Sequence, residues 1–483
     1  MPTSRSTAKQ GARQKRSVRS HAEPRTLKKP SQKKRSRGKK PRTSAERVAA
    51  VLAKAQVEDK AATLNSPLSQ IMLGANVPST IVTRGDAGDH PGVQRFLQSV
   101  QPELSPEAFA AVLEEPLYEP SDRIVARLGT RVVGHALVSR RDAYVGDALT
   151  PVSRVSQITI LPELRGQGLG PKLLQAAEER IVQDQSPLGL LATPRPAFFE
   201  QHGWLPMAKI RRTQITTRNI VGILEANSGA LSGRWRVQPW RQMEYGHLEK
   251  LYQSTVRGTF GGYERTEAFW RWVVGSCCPA RLLVASDQAQ RGDGELVGYV
   301  ILRGESILEV AARDNRQDIL HALLHRACVE AIERSLHRLE FEAAADHPAH
   351  RMLGYDPERE NGQATSATLL AKVFDRCRLL QSLTPGIDAR AKDAGVERPC
   401  ELGFRVVNEP ALRLMFQPRS VKLANSGLGR SYLRCSPESF TRILLGRPKQ
   451  QESIRFRSST ERAKTIASAI FPRLPARFCS LEY

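Results

Sequence analysis

Residues 154–180 read RVSQITILPELRGQGLGPKLLQAAEER. The segment VSQITIL (155–161) is rich in β-branched residues and predicts a strand, and LGPKLLQAAEERIVQDQ (169–185) predicts an amphipathic helix. Between them lies RGQGLG (165–170). On its own a glycine-rich hexapeptide marks a turn. Here it leads a strand directly into a helix N-terminus, where unpaired amides and the positive dipole end gather phosphate oxygens. Glycines at 166, 168 and 170 let the backbone approach a pyrophosphate, and Arg165 adds a charge-assisted contact.

Two other phosphate loops are excluded. A Walker A loop ends in GK[ST], whereas Gly170 is followed by Pro171 and Lys172. A Rossmann fingerprint has G-x-G-x-x-G after the first strand of its unit. Here the spacing is G-x-G-x-G, and three strand candidates already precede it: TIVTRG (80–85), DRIVARLG (122–129) and RVVGHALVSRRDAYVG (131–146). The last two meet at a tight turn, Gly129–Thr130. PGVQRFLQSV (91–100) and SPEAFAAVLEE (105–115) read as helices, the latter started by Ser105–Pro106. Downstream come a strand, GLLAT (189–193), and a short helix, PAFFEQHG (196–203).

The rhythm returns at 235–355, where ARLLVAS (280–286), LVGYVILRG (296–304) and ILEVAAR (307–313) are strands and DILHALLHRACVEAIERS (318–335) is a helix. This suggests an internal duplication. The second copy has RDNRQD (313–318) where the first has its glycine loop, so it cannot cradle a pyrophosphate. The chain then changes character, with a strand-rich block, ELGFRVVNEPALRLMFQP (401–418), followed by a helix, SPESFTRILLG (436–446).

The chain has 483 residues, 40% of them hydrophobic and enough for two to four domains. No apolar run is long enough to span a bilayer. The seven cysteines are scattered without a CxxC pair, which argues for reduced thiols in a cytoplasm and against a metal site. Of the net charge of +24, residues 1–48 contribute +15, from 17 Lys/Arg against two Glu. Most of the basicity is therefore an arm, which its composition predicts to be disordered over 1–42. Thr43 and Glu46 suggest the capping box of a short helix after it, and 62–78 reads as linker. Met72 is an alternative start for a chain without the arm.

The loop and the strand before it resemble the acetyl-CoA motif of the GNAT superfamily, [RQ]-x-x-G-x-[GA]. FFEQHGW (198–204) is similar to that family's second signature, Y-x-x-x-G-F. The order of units further resembles the Eis family: a GNAT domain (79–218), a degenerate GNAT-like domain (232–365) and a sterol-carrier-protein-like domain (366–483), after a basic arm and linker (1–78). The implied fold class is α/β, with tandem GNAT folds, each a mixed central sheet flanked by helices, and a small α+β C-terminal domain. The implied activity is direct transfer of an acetyl group from acetyl-CoA to an amine, with no metal. Backbone groups at Ile158, Thr159 and Ile160 would pair with the pantetheine arm. Arg165, Gly166, Gln167, Gly168, Leu169, Gly170 and Pro171 would hold the pyrophosphate. In the Eis family the terminal carboxylate is the base and the acidic residue before it meets the acceptor. Those roles map onto Tyr483 and Glu482.

One departure bears on catalysis. The family's general acid is a Tyr in the second signature, and the matching residue here is Phe199. Slow turnover, an acid from elsewhere such as His202, and an inactive enzyme are the alternatives. His202 itself reads first as a helix-end residue. Glu114 and Glu115, at the border of the acceptor side, read as a solvated helix end. Trp235, Trp240, Trp270 and Trp272 read as core anchors, with Trp270 and Trp272 on opposite helix faces so that one is free to line a cleft. Apolar residues near the terminus (Ile470, Phe471, Leu474, Phe478, Leu481) predict that it docks. The expected partner is a small-molecule or peptide amine, and the resemblance leaves room for a homo-oligomer. The alternative function is a nucleic-acid-associated protein that binds through residues 1–48 and carries a catalytically weak GNAT remnant.

Overall fold

The hairpin expected around Gly129–Thr130 forms between strands β2 (Arg123–Leu128) and β3 (Arg131–Gly146), with Gly129 in the left-handed region at φ +61°. The structure is a computed structural model. It describes residues 80–216, 218–219, 222, 234–241, 244–275, 281–287, 295–354, 365–446 and 457–479. The basic arm, the helix expected after Thr43, Leu481, Glu482 and Tyr483 lie outside the described residues.

Around that hairpin the first lobe runs β1 (Ile81–Arg84), α1 (His90–Val100), α2 (Pro106–Leu113), β2, β3 and β4 (Ala148–Ile160). It continues through α3 (Leu169–Gln183), β5 (Leu188–Thr193), α4 (Pro196–Glu200) and β6 (Leu205–Thr216). Ser105 starts α2 by accepting from the Ala108 amide, with Pro106 at the first helical position. Helix α3 buries Leu169, Leu173, Leu174, Ala177 and Ile181. Gly134 on β3 makes room for it, since a Cβ there would come within 2.9 Å of Leu173 Cδ1.

The second lobe repeats the plan. Its elements are β7 (Trp235–Pro239), α5 (Tyr245–Val256), β8 (Thr259–Tyr263), α6 (Glu267–Gly275), β9 (Arg281–Asp287), β10 (Leu296–Arg303) and β11 (Ser306–Ala312). These are followed by α7 (Gln317–Glu333), β12 (Arg338–Ala344), α8 (Ala349–Met352) and β13 (Thr365–Val373). The expected strand-then-helix step at 307–335 is β11 and α7. In place of the glycine loop, a 3-10 turn at Arg313–Asn315 holds Asp314 and Asn315 at φ +54° and +51°.

The lobes share one sheet in the order β1-β2-β3-β4-β5-β13-β6-β12-β11-β10-β9-β7, with β8 attached to β3. Strand β13 spans the point where the sequence divides the second lobe from the C-terminal domain. It does not open the latter but runs antiparallel between β5 and β6, while β6 pairs in turn with β12. The reason is burial: Leu369, Leu370 and Ala371 are fully covered, on both faces of the sheet.

A separate sheet, β16-β15-β14-β17-β18, follows helix α9 (Arg376–Asp393). It is built from β14 (Cys400–Val406), β15 (Leu412–Phe416), β16 (Val421–Ala424), β17 (Tyr432–Cys435) and β18 (Arg457–Ser458), with α10 (Pro437–Leu444) and α11 (Glu461–Ile470). Its apolar side joins α9–α11 and the first lobe in one core that includes Val152, Leu188, Leu369, Leu383, Phe404, Phe440 and Ile470. No helix among the described residues is long and apolar enough to cross a membrane.

Candidate active site

Strands β4 and β5 run parallel and pair only from Val152↔Leu188 to Val155↔Leu191. Beyond Val155 the strands part. The cause is visible on the other edge of β4. His135 of β3 pairs with Thr159, but Leu137 pairs with Ser156, so two β4 residues oppose the single Ala136. This is a β-bulge, with Gln157 at φ +53°. It turns β4 away from β5 and opens a cleft of about 360 Å³. Ser156, Gln157, Ile158, Thr159, Thr193 and Phe199 are among its walls, and Arg165 stands at its border.

The glycine loop follows directly. Gly166 and Gly168 take φ +77° and +80°, and nothing lies within 4 Å of where their Cβ atoms would be. Gly168 is the N-cap of α3 and offers no side-chain cap, so the first-turn amides stay available. Gly170 lies within the helix, where a Cβ would make ordinary contacts with Phe198 and Ile160. Gln167 Nε2 donates to the Glu163 carbonyl (3.1 Å). Of the residues expected to hold the cofactor, Ile158, Thr159 and Arg165 face the cleft, Ile160 closes β4 beside the loop, and 166–171 form the turn and first residues of α3. A diphosphate with an extended arm fits this arrangement: open backbone at the loop, and a strand edge released from its neighbour.

Residues 84–207 match the family model described as acetyltransferase (GNAT) domain. The chain carries a GNAT domain. No curated protein matches the sequence. Among solved structures, the GCN5-related N-acetyltransferase of Anabaena variabilis aligns with a TM-score of 0.58 at 15% identity, over 83% of this chain and 100% of that one. A probable N-acyltransferase of Enterococcus faecalis aligns with 0.56 at 12%, over 83% and 98%. Eis1 from Mycobacterium abscessus aligns with 0.50 at 14%, over 83% and 99%. These are likenesses of fold alone, and they extend over most of the chain.

Within the GNAT domain, Phe199 is buried against the cleft, packed edge-to-face on Phe198 with ring centroids 5.0 Å apart. It brings no oxygen to the cleft. His202 is turned to its own helix: Nδ1 donates to the Phe198 carbonyl (2.8 Å), and its ring packs on Phe198.

Beside α2 lies a polar layer that the sequence reading missed. Glu115 is not solvated but 6% exposed, because two arginines from the sheet draw it inward. It pairs with Arg141 of β3 and, at 3.5 Å, with Arg154 of β4. Glu114 remains exposed. Nearer the bulge, Arg123 is fully buried. Its Nε donates to the Tyr118 hydroxyl (2.8 Å), which also lies 2.7 Å from His90 Nε2. Arg123 Nη1 donates to His135 Nε2 (3.0 Å). Burial, reinforced by the Arg123 charge, pushes the His135 imidazole down to about 3, so it is a neutral acceptor. The available signal was charge inside otherwise apolar strands: His135 and Arg141 in RVVGHALVSRRDAYVG.

Trp270 and Trp272 are both buried. Trp272 Nε1 donates to the Ala111 carbonyl of α2, tying α6 to the GNAT domain. The chain after α11 is docked: Leu474, Phe478 and Cys479 are buried, Phe260 N donates to Pro475 O (2.9 Å) and Arg477 N to Phe260 O (2.8 Å).

Proposed function

We propose that the protein is an N-acetyltransferase that moves an acetyl group from acetyl-CoA to an amine by direct attack within a ternary complex. The observation that carries this is the cleft between β4 and β5, continuous with an uncapped, glycine-started helix. Bound acetyl-CoA supplies a thioester. Ile158, Thr159 and Ile160 pair with its pantetheine arm, and Arg165 through Pro171 hold its pyrophosphate. Backbone N–H groups of the bulge polarise the acetyl carbonyl. The Tyr483 carboxylate takes the ammonium proton, and Glu482 holds the cationic acceptor. Residues 474–479, which precede them in the chain, are docked.

With Phe199 in place of a tyrosine, the thiolate leaves without a proton donor from that position. A thiol of pKa about 8.5 is a tolerable leaving group, at a cost of about 10²–10⁴-fold in rate. The test is acetyl-CoA turnover screened against polyamines, aminoglycosides and lysine peptides. Transfer to one class supports the reading, and thioester hydrolysis with no acceptor product would sink it.

A second reading rests on the 17 Lys/Arg of residues 1–48: a nucleic-acid-associated protein whose GNAT domain is a weak remnant. DNA retention that falls steeply with salt and vanishes when 1–48 is deleted favours it.

A further inference from the structure

Arg123 opens β2 fully buried, and among the described residues no carboxylate is paired with it. Its guanidinium lies over the Phe109 ring of α2, 4.7 Å from the centroid. A buried charge held in this way adds little to stability. What it does is organise its neighbours. An arginine can only donate, and this one donates to the Tyr118 hydroxyl in the loop between α2 and β2 (2.8 Å) and to His135 Nε2 on β3 (3.0 Å).

Those two donations fix every proton along the chain. Tyr118 receives from Arg123, so its own hydrogen goes to His90 Nε2 at the start of α1 (2.7 Å). His135, fully buried and neutral, receives at Nε2, so its single ring proton is on Nδ1. From β4 the Gln157 backbone raises the proton affinity of this ring, as a carbonyl facing its N–H does. The contact is looser than a formed hydrogen bond, a geometry that in catalytic clefts tightens when substrate is bound.

Gln157 is the bulge residue at φ +53°, a conformation that a side-chain-bearing residue keeps only where its surroundings hold it. A trans peptide points its C=O and the following N–H in opposite directions. With the Gln157 carbonyl turned to His135 on β3, the Ile158 N–H is turned away from β3. The strand on that side of β4 is β5, and the gap between them is the cleft that Gln157 and Ile158 line.

We propose that His90, Tyr118, Arg123 and His135 form a positioning chain in which His135 holds the Gln157 carbonyl and so aims the Ile158 amide at the acetyl carbonyl of bound acetyl-CoA. None of the four is among the walls of the cleft, so each acts through the bulge. The proposal rests on the acetyl-CoA reading above and adds to it the residues that set the polarising amide.

The test uses the full chain and needs no acceptor. Acetyl-CoA carrying 13C at the carbonyl is bound, and its carbonyl stretch is read by isotope-edited infrared difference spectroscopy, with Kd from calorimetry. A donor on the carbonyl oxygen lowers the band relative to free acetyl-CoA. His135→Gln keeps an acceptor for Arg123 but places no donor where Nδ1 stands. His135→Asn is the conservative variant, since its amide nitrogen falls at the Nδ1 position. In His135→Gln most of the band shift should be lost with Kd unchanged, and His135→Asn should recover part of it. With the best amine from the screen, kcat should fall about tenfold or more in His135→Gln while KM for acetyl-CoA stays the same. An unmoved band in folded His135→Gln overturns the positioning chain and leaves the acetyl-CoA cleft standing. Failure of the native chain to bind acetyl-CoA sinks the cleft reading, and the positioning role with it. If His135→Gln does not fold, Tyr118→Phe decides: it releases the outer end of Arg123, part of the band shift should be lost, and an unmoved band overturns the proposal.

Discussion

His135 on β3 lies directly opposite Thr159 on β4, and between that pair and the next, Leu137 with Ser156, β4 carries one residue more than β3. The added residue bends β4 from β5 and makes the cleft. A neutral imidazole, held by a buried arginine, sits behind the bulge.

That imidazole makes stability depend on pH. His135 titrates at about 3 and His350 at about 4 in the fold, both lowered mainly by burial. A base with a lowered folded pKa takes up protons preferentially when unfolded. Its stabilising effect is complete above the unfolded value near 6.5 and is lost as the pH falls through that value toward the folded one. Between pH 7 and 5 each ring should cost about 2 kcal/mol. Urea unfolding at the two pH values should show the fall, and His135→Gln should remove its share of the slope. A slope unchanged in that variant contradicts the assignment.

Gly168 tests the phosphate loop. Its φ of +80° is one that Asp and Asn adopt more readily than most residues, and a side chain there meets no protein atom within 4 Å. Gly168→Asp should therefore fold, yet place a carboxylate at the amides proposed to hold the pyrophosphate. Calorimetry should find acetyl-CoA binding weakened about 100-fold or more, while neutral Gly168→Asn retains most of it. Equal affinities in the two variants would show that the pyrophosphate lies elsewhere.

Phe199→Tyr should speed the reaction. Phe199 is among the residues that line the cleft, so a tyrosine there would bring a hydroxyl to its wall. A proton donor for the leaving thiolate should raise kcat by about tenfold or more at saturating acceptor. No change would mean that thiolate departure does not limit the rate.

Glu115 neutralises two arginines whose side chains are 5% and 8% exposed. Glu115→Gln leaves both buried charges without it and should cost about 3–5 kcal/mol. Denaturant unfolding checks this, and a loss under 1 kcal/mol would mean that water reaches the site.

What the sequence made legible was local. RGQGLG joins one strand to the helix that follows it, and Gly129–Thr130 closes a hairpin, so neighbouring residues carried both signals. The boundary drawn at 365/366 falls on β13, whose sequence TSATLLAKV reads the same whether it opens a new domain or enters a gap between β5 and β6. Glu115 was misread because adjacent Glu114 and Glu115 differ only in which way they face. Arg477 donates to Glu309 across 168 residues of sequence, and no periodicity connects them.

The central claim is that a cleft in the first lobe and a carboxylate from the end of the chain act together. The most direct measurement compares acetyl transfer by the untagged chain with that of a chain lacking Tyr483 or bearing a C-terminal tag, using the best amine from the screen. The tag replaces the terminal carboxylate by a neutral amide that cannot take a proton. The account predicts a sharp fall in kcat with acetyl-CoA Kd unchanged, as expected for a group that matters in the transition state, and equal turnover in tagged and untagged chains would contradict it.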